Sequence, residues 1–370
     1  SGSFGFQQLG DIGTLPTGYS IADFKPNCAL AAYGRIWMAD IVGDRQTVYF
    51  SRLLDGSDFQ GGDSGSLSIN SVFPNNDQII ALAAHNGFLI IFGKRQILVY
   101  ANATTPSTMS LSDTVGGIGC IARDSIQSTG KDVLFLSNSG LRSFARTIIE
   151  KSAPIGDLSK NVRSDFMAIV GSETAANIKT VYSETEAFYL LTVPTVKEVY
   201  CFDTRGQLQD GSFRVTVWNS IEPTALLSRR NGDVLIGKNG YIGKYSTYQD
   251  HTSSYRMQYF TNHADLGNAN VTSLLKRLKG VVIGGTNQFV TIKWGFDFAA
   301  NYLSGNAYIP EQKNYEYGLA EYGVAEYSGG VLIKTLDVNA SGAGKVVQTG
   351  YETTINGTQL SIQKIEIQSK

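Results

Sequence analysis

The sequence predicts an all-β protein, with a β-propeller of five or six blades over residues 23–254 and a C-terminal β-sandwich over residues 255–370. Three observations predict it. A hairpin-like pattern recurs five times at nearly constant spacing, and the recurrence stops near residue 254. The composition suits sheets: glycine and the aromatics each number 40 of 370 residues, while charged residues make up only 17%. Low charge with many aromatics argues against disorder and against a long helical rod.

Each copy of the pattern has a polar turn, a short apolar strand, a second turn with Gly or a basic residue, and a strand ending in an aromatic. The copies are YGRIWMADIVGDRQTVYFS from Tyr33, HNGFLIIFGKRQILVYA from His85, GKDVLFLSNSGLRSFA from Gly130, SETEAFYLLTVPTVKEVYCFD from Ser183 and RNGDVLIGKNGYIGKYS from Arg230. One central apolar position of each, Ile36, Leu89, Leu134, Phe188 and Leu235, gives steps of 53, 45, 54 and 47 residues. A hairpin takes roughly 15 to 20 residues, so each repeat has room for two more strands, with SLSINSVF, IGCIARDSI, IKTVYS and FRVTVW as candidates. Four strands per repeat is the size of a propeller blade. A small sheet that is apolar on both faces cannot cover itself, so such sheets stack face to face. Leu89, Ile91, Leu134, Leu190 and Leu235 are therefore expected to be buried between blades, and residues 1–22 read as an N-terminal arm.

One helix interrupts the pattern. In GDLSKNVRSDFMAIV, Leu158, Val162, Phe166 and Ile169 share a helical face, with Asp157 placed as N-cap. It is expected to join blades from the outside of the ring.

From about Tyr255 the repeat gives way to longer alternating stretches, GVVIGG, FVTIKWGFDF, VLIKTLDVN, KVVQTGYETTI and QLSIQKIEIQS. In the last, Leu360, Ile362, Ile365 and Ile367 slip once in the period of two, which predicts either a bulged strand or two strands meeting. VTSLLKRLKG is compatible with a strand or a short helix. Within this region EYGLAEYGVAEYSGG repeats Glu-Tyr every five residues, placing Glu316, Tyr317, Glu321, Tyr322, Glu326 and Tyr327 in a loop over 315–330. Period five fits neither a strand face nor a helix face. The segment is either an extended loop whose tyrosines pack on the sandwich or a protruding aromatic and acidic contact element.

Charge gives no direction toward a partner. There are 31 basic against 32 acidic residues, which leaves no basic footprint for nucleic acid or an anionic membrane. Cys28, Cys120 and Cys201 are an odd number at wide spacing, which fits buried small hydrophobes rather than a disulfide framework or a metal knuckle. No apolar run approaches the length of a membrane-spanning helix, and the N-terminus does not read as a signal segment.

Motifs for chemistry are weak. Gly62-Asp63-Ser64-Gly65-Ser66 matches the surround of a chymotrypsin-type serine, yet His85, His251 and His263 all follow Ser64, the reverse of that family's order. Asp55, Asp58 and Asp63 in the same loop are oxygen donors suited to calcium, but they lack the spacing of an EF-hand or a glycine-rich nonapeptide. Gly117-Ile-Gly119-Cys-Ile-Ala122 matches a dinucleotide fingerprint by letters, without the strand before it or the helix after it. The sequence implies no cofactor and no catalytic residue.

The blades nevertheless carry a resemblance. Gly34-Arg35-Ile36-Trp37-Met38-Ala39-Asp40 with Val48-Tyr49-Phe50-Ser51, and Leu89-Ile90-Ile91-Phe92-Gly93 with Ile97 to Tyr100, open an ordered set. It continues through Gly119-Cys120, Asp132-Val133-Leu134-Phe135-Leu136-Ser137, Gly140-Leu141-Arg142-Ser143, Cys201-Phe202-Asp203-Thr204-Arg205 and Lys276-Arg277-Leu278-Lys279. Across nearly the whole chain this set resembles the β-propeller tail nozzle proteins of short-tailed double-stranded DNA bacteriophages.

The resemblance implies a non-enzymatic virion protein, assembled in the host cytoplasm as a homohexameric ring in the phage tail. Through that ring DNA would leave, with the tail adaptor, tail fibres or other tail proteins as partners. Under this reading the Glu316–Tyr327 repeat is expected on the channel lining or a subunit seam. The near-neutral charge agrees with a conduit that must not hold DNA. Two other classes stay open: a carbohydrate- or receptor-binding propeller module, and a propeller glycoside hydrolase whose carboxylates meet from distant blades.

Overall fold

The structure is a computed structural model, and it describes residues 13–73, 77–151, 157–238, 240–267, 270–311 and 333–370. The Glu316–Tyr327 repeat lies outside the described residues. The chain divides into two compact units, Ser1–Tyr245 and Ser246–Lys370. That division lies nine residues before the one read from the sequence. Tyr248 accepts a backbone hydrogen bond from Gly357, and the Gln249 amide donates to Asn356 at 2.7 Å, tying the intervening stretch to the second unit.

Among the described residues the first unit holds five small antiparallel sheets in chain order. The first is β1 (Cys28–Ala32), β2 (Arg35–Ile41), β3 (Asp44–Phe50) and β4 (Gly65–Ser68). The second is β5 (Ile79–His85), β6 (Phe88–Gly93), β7 (Gln96–Ala101) and β8 (Ser110–Gly116). The third has only β9 (Gln127–Ser128), β10 (Val133–Ser137) and β11 (Gly140–Ser143). The fourth is β12 (Lys179–Ser183), β13 (Phe188–Val193), β14 (Glu198–Gln207) and β15 (Phe213–Trp218), and the fifth is β16 (Ala225–Ser228), β17 (Val234–Lys238) and β18 (Tyr241–Lys244). Each sheet is a meander, its strands paired in sequence order.

The repeat positions Ile36, Leu89, Leu134, Phe188 and Leu235 fall on β2, β6, β10, β13 and β17, the second strand of each successive sheet. Two-residue turns connect the first two strands in the first two sheets, with Tyr33-Gly34 at φ 56° and 71° and Asn86-Gly87 at 49° and 82°. Positive φ at both positions is the turn geometry that matches strand twist, and it explains the glycine in each pair.

Adjacent residues on the inner hairpins feed opposite cores. Leu89 and Ile91 join a cluster shared with the first sheet, while Ile90 and Phe92 join one shared with the third. Likewise Leu134 and Leu136 face the fourth sheet, where Tyr189 and Leu191 meet them, and Phe188 and Leu190 face the fifth. The sheets therefore stack face to face, and each shared face removes apolar side chains from water at about 1.5–3 kcal/mol apiece. Leu89, Ile91, Leu134 and Leu190 are buried as expected; Leu235 is not. Val234 and Ile236 point into the cluster shared with the fourth sheet, so Leu235 turns to the opposite face, beside exposed Leu227.

Two further expectations need correction. IGCIARDSI forms no strand; it carries a short 3-10 turn at Arg123–Ser125 and leads into β9. The expected helix begins later, as a 3-10 turn at Lys160–Val162 followed by α2 (Arg163–Ser172), after the short α1 (Phe144–Glu150). Asp157 does not cap it. The Asp157 carboxylate accepts from the Ser159 amide at 2.8 Å and hydroxyl at 2.6 Å, holding the chain that approaches Gly140. Phe166 and Val170, with Leu158, fill the cluster between the third and fourth sheets.

Among the described residues the second unit contains two sheets, of five and four strands, with strands as long as 12 residues. One contains β19 (Tyr255–Phe260), β20 (Ala264–Asp265), β22 (Gln288–Phe296), β23 (Leu303–Ile309) and β26 (Val346–Ile355); the other contains β21 (Ser273–Gly284), β24 (Ile333–Asn339), β25 (Ala343–Gly344) and β27 (Leu360–Ser369). The segment VTSLLKRLKG is thus strand, not helix. Both sheets contribute to one core, with Leu278 and Val282 of β21 meeting Ile292 and Trp294 of β22. β27 is a single bulged strand: Val281 and Val282 pair with Lys364 and Ile362, leaving Gln363 as the extra residue that shifts the alternation.

Candidate ligand cavity

The first strands of all five sheets in the first unit converge on one cavity of about 670 Å³. β1 brings Cys28 and Leu30, β5 the Ala81–Ala84 stretch, β9 Gln127, β12 Lys179 and Thr180, and β16 Leu226. Side chains just ahead of those strands complete it, Asn27 before β1 and Arg123-Asp124 before β9.

These polar groups bind one another across sheets. The Arg123 guanidinium grips Asp124 with Nε at 2.6 Å and Nη2 at 3.1 Å, and its Nη1 reaches the Asn27 carbonyl and, at 3.2 Å, the Asn27 side-chain oxygen. Lys179 Nζ donates to the same Asp124 carboxylate and, at 2.7 Å, to the Ala176 carbonyl. The Gln127 amide donates to the Thr180 carbonyl and hydroxyl at 3.1 and 3.0 Å, and the Thr180 hydroxyl donates to the Asp124 carbonyl at 2.6 Å. The Asn27 amide donates to Asp40, whose other oxygen pairs with Arg45. Sheets one, three and four are thereby laced together at the cavity wall.

The titratable groups of the wall are set for binding more than for proton transfer. Burial pushes Asp124 up, but hydrogen bonds from Arg123 and Lys179 outweigh it and hold the carboxyl below its usual range. Burial, reinforced by Asp40, pushes the Cys28 thiol up to about 12. At neutral pH one stays ionised and the other stays protonated, so neither exchanges a proton readily.

The residues singled out by sequence motif lie elsewhere. Asp55 accepts from the Ser57 amide and hydroxyl, Asp58 from Thr14, Gln60 and Gly61, and Asp63 pairs with buried Arg35 and accepts from the Leu53 amide. Each aspartate organises its own stretch of loop, and among the described residues no three acidic, histidine or cysteine side chains gather as a metal site. The Ser64 amide closes a turn on the Gly61 carbonyl. His85 contacts Asn86, and the His263 ring lies 4.2 Å from Phe298. No helix among the described residues is long and apolar enough to cross a membrane.

Sequence reasoning missed the cavity because its polar residues are scattered from 27 to 179. A signal existed: Asn27, Arg123-Asp124 and Lys179 occupy the same place in three repeats, at or just before a sheet's first strand.

No protein-family model and no curated protein matches this chain. Among solved structures it is similar to the extracellular domain of a hybrid two component system from B. thetaiotaomicron, at 10% identity and TM-score 0.38, over 65% of this chain and 28% of that one. It is also similar to the AfRom2 CNH domain, at 12% identity and TM-score 0.32, over 58% and 65%. A third likeness is to the WD40 domain of Toxoplasma gondii coronin, at 12% identity and TM-score 0.33, over 58% and 54%. The chain spans less than two thirds of each of these structures. Such slight likenesses carry no reading of activity.

Proposed function

We propose that the chain is a structural subunit of a phage tail nozzle, in which the first unit is a five-bladed propeller and the second a β-sandwich. In this reading it has no enzymatic role; copies form a ring in the virion, most simply six, through which duplex DNA leaves. One observation carries the reading. Apart from Gly119-Cys120, in a loop, and Lys276–Lys279, on β21 of the second unit, the ordered segments that resemble nozzle proteins lie on the second and third strands of the first four stacked sheets.

A conduit of this kind requires several copies. The cavity at the inner strands has the volume of a sphere about 11 Å across, whereas the major groove of a DNA duplex is by itself about 12 Å wide. DNA would therefore pass between subunits. Contact surface is available in the second unit. The outward face of its larger sheet carries Phe289, 62% exposed, against Tyr308 at 5.0 Å, and Phe260 against Tyr302 at 5.1 Å. Aromatic pairs that are wholly or partly exposed suit a subunit interface. The same pairs favour a second reading, a carbohydrate-binding module, because aromatic rings on an outward sheet face also suit sugar stacking.

Light scattering and electron microscopy of the purified protein test the proposal. A ring of mass near 240 kDa, six times 40.1 kDa, is the expected result. A strict monomer, both free and bound to an adaptor ring, would refute it and leave the carbohydrate reading in its place.

A further inference from the structure

We infer that the cavity at the inner strands of the first unit binds a short aliphatic carboxylate. At about 670 Å³ it falls within the range of small-ligand sites. Among the described residues its polar wall carries two cations, Arg123 and Lys179, around a single carboxylate, Asp124, while nearby Asp40 is balanced by Arg45. One positive charge is in excess, which suits a monoanion better than a phosphate dianion.

The donors are available as well. A guanidinium has five N–H groups and an ammonium three. The contacts to Asp124 and Asn27 leave one Nη2 hydrogen on Arg123, and the contacts to Asp124 and Ala176 leave one on Lys179. Those two donors suffice for the two oxygens of a carboxylate. The rest of the lining is largely aliphatic, with Ala81, Ala83, Ala84, Leu30 and Leu226, and among the described residues no Phe, Tyr or Trp lines the cavity. Without a ring to stack on, a sugar gains little there, whereas an alkyl chain is removed from water.

The inference is independent of the nozzle reading, because monomer and ring would bind alike. Isothermal titration of the full chain with hexanoate, hexan-1-ol and hexylamine at low salt tests it. Hexanoate is expected to bind one per chain with Kd below about 1 mM, and the neutral and cationic analogues at least tenfold more weakly. Lys179→Gln should weaken hexanoate at least tenfold. Ala84→Phe, which fills the apolar wall and leaves the cations in place, should abolish binding while the far-ultraviolet dichroism is retained. Absence of saturable heat with hexanoate, equal binding of hexan-1-ol, or unchanged affinity in folded Ala84→Phe would overturn the inference.

Discussion

The two units bury their cores in opposite ways. In the first, β13 is buried at every residue and β6 at all but its first, because the second and fourth sheets are covered on both faces. In the second, β22 and β24 alternate buried with partly or fully exposed positions, since each sheet has one covered face. The difference teaches that sheet sequence encodes how many neighbours a sheet has: continuous apolar runs call for two, alternation for one.

Substitution of adjacent residues separates the two modes most sharply. Leu190→Ala and Leu191→Ala should each cost about 2–5 kcal/mol by urea unfolding, since one side chain fills the core shared with the fifth sheet and the other that shared with the third. In the second unit only one of a neighbouring pair should matter. Ile292→Ala should cost a similar ~2–5 kcal/mol, and outward-facing Thr291→Ala at most about 0.5 kcal/mol. Equal effects at 291 and 292 would erase the distinction.

A smaller effect tests the end of the stack. Leu235→Ala should cost about 1 kcal/mol, well below Leu89→Ala, because Leu235 is half-buried on the open face of the fifth sheet. The smallest effect is electrostatic. On the outward face of the second unit Arg256 and Lys293 approach Glu352 at 2.6 and 2.5 Å and hold its carboxyl down at about 2. A carboxylate depressed in the folded state stabilises fully above its unfolded value of about 4.3, and the contribution is lost as pH falls through 4 toward 2. Solvent screening keeps it near 0.5 kcal/mol. Thermal denaturation from pH 7 to pH 2 should show a shallower acid loss in Glu352→Gln than in the parent.

Much of this arrangement was legible in the sequence because hairpins are local. Spacing alone placed Ile36, Leu89, Leu134, Phe188 and Leu235 on equivalent strands, and the slip between Ile362 and Ile365 marked the Gln363 bulge. What escaped depended on contacts distant in the chain. Nothing near Leu235 announces that it faces away from the fourth sheet, and IGCIARDSI reads as strand although Ser125 is drawn into a turn on the Ala122 carbonyl at 2.6 Å. Asp157 looked like a cap until Gly140 and Ser159 closed around it. The cavity was hidden for the same reason, since Asn27 meets Arg123 only when the first and third sheets approach.

The three cysteines have a consequence for following the protein's motions. Cys28, Cys120 and Cys201 are free and buried, and burial raises their thiols to about 12, 11 and 12. With almost no thiolate, they resist oxidation and disulfide exchange while the fold is closed. Each also sits at a different seam: Cys28 between the first and second sheets, Cys120 between the second and third, Cys201 between the fourth and fifth. The chain thus carries three built-in chemical clocks. The rate at which each reacts with a thiol reagent reports how often its own seam opens, so strain applied at one place in an assembly could be timed as it travels through the stack.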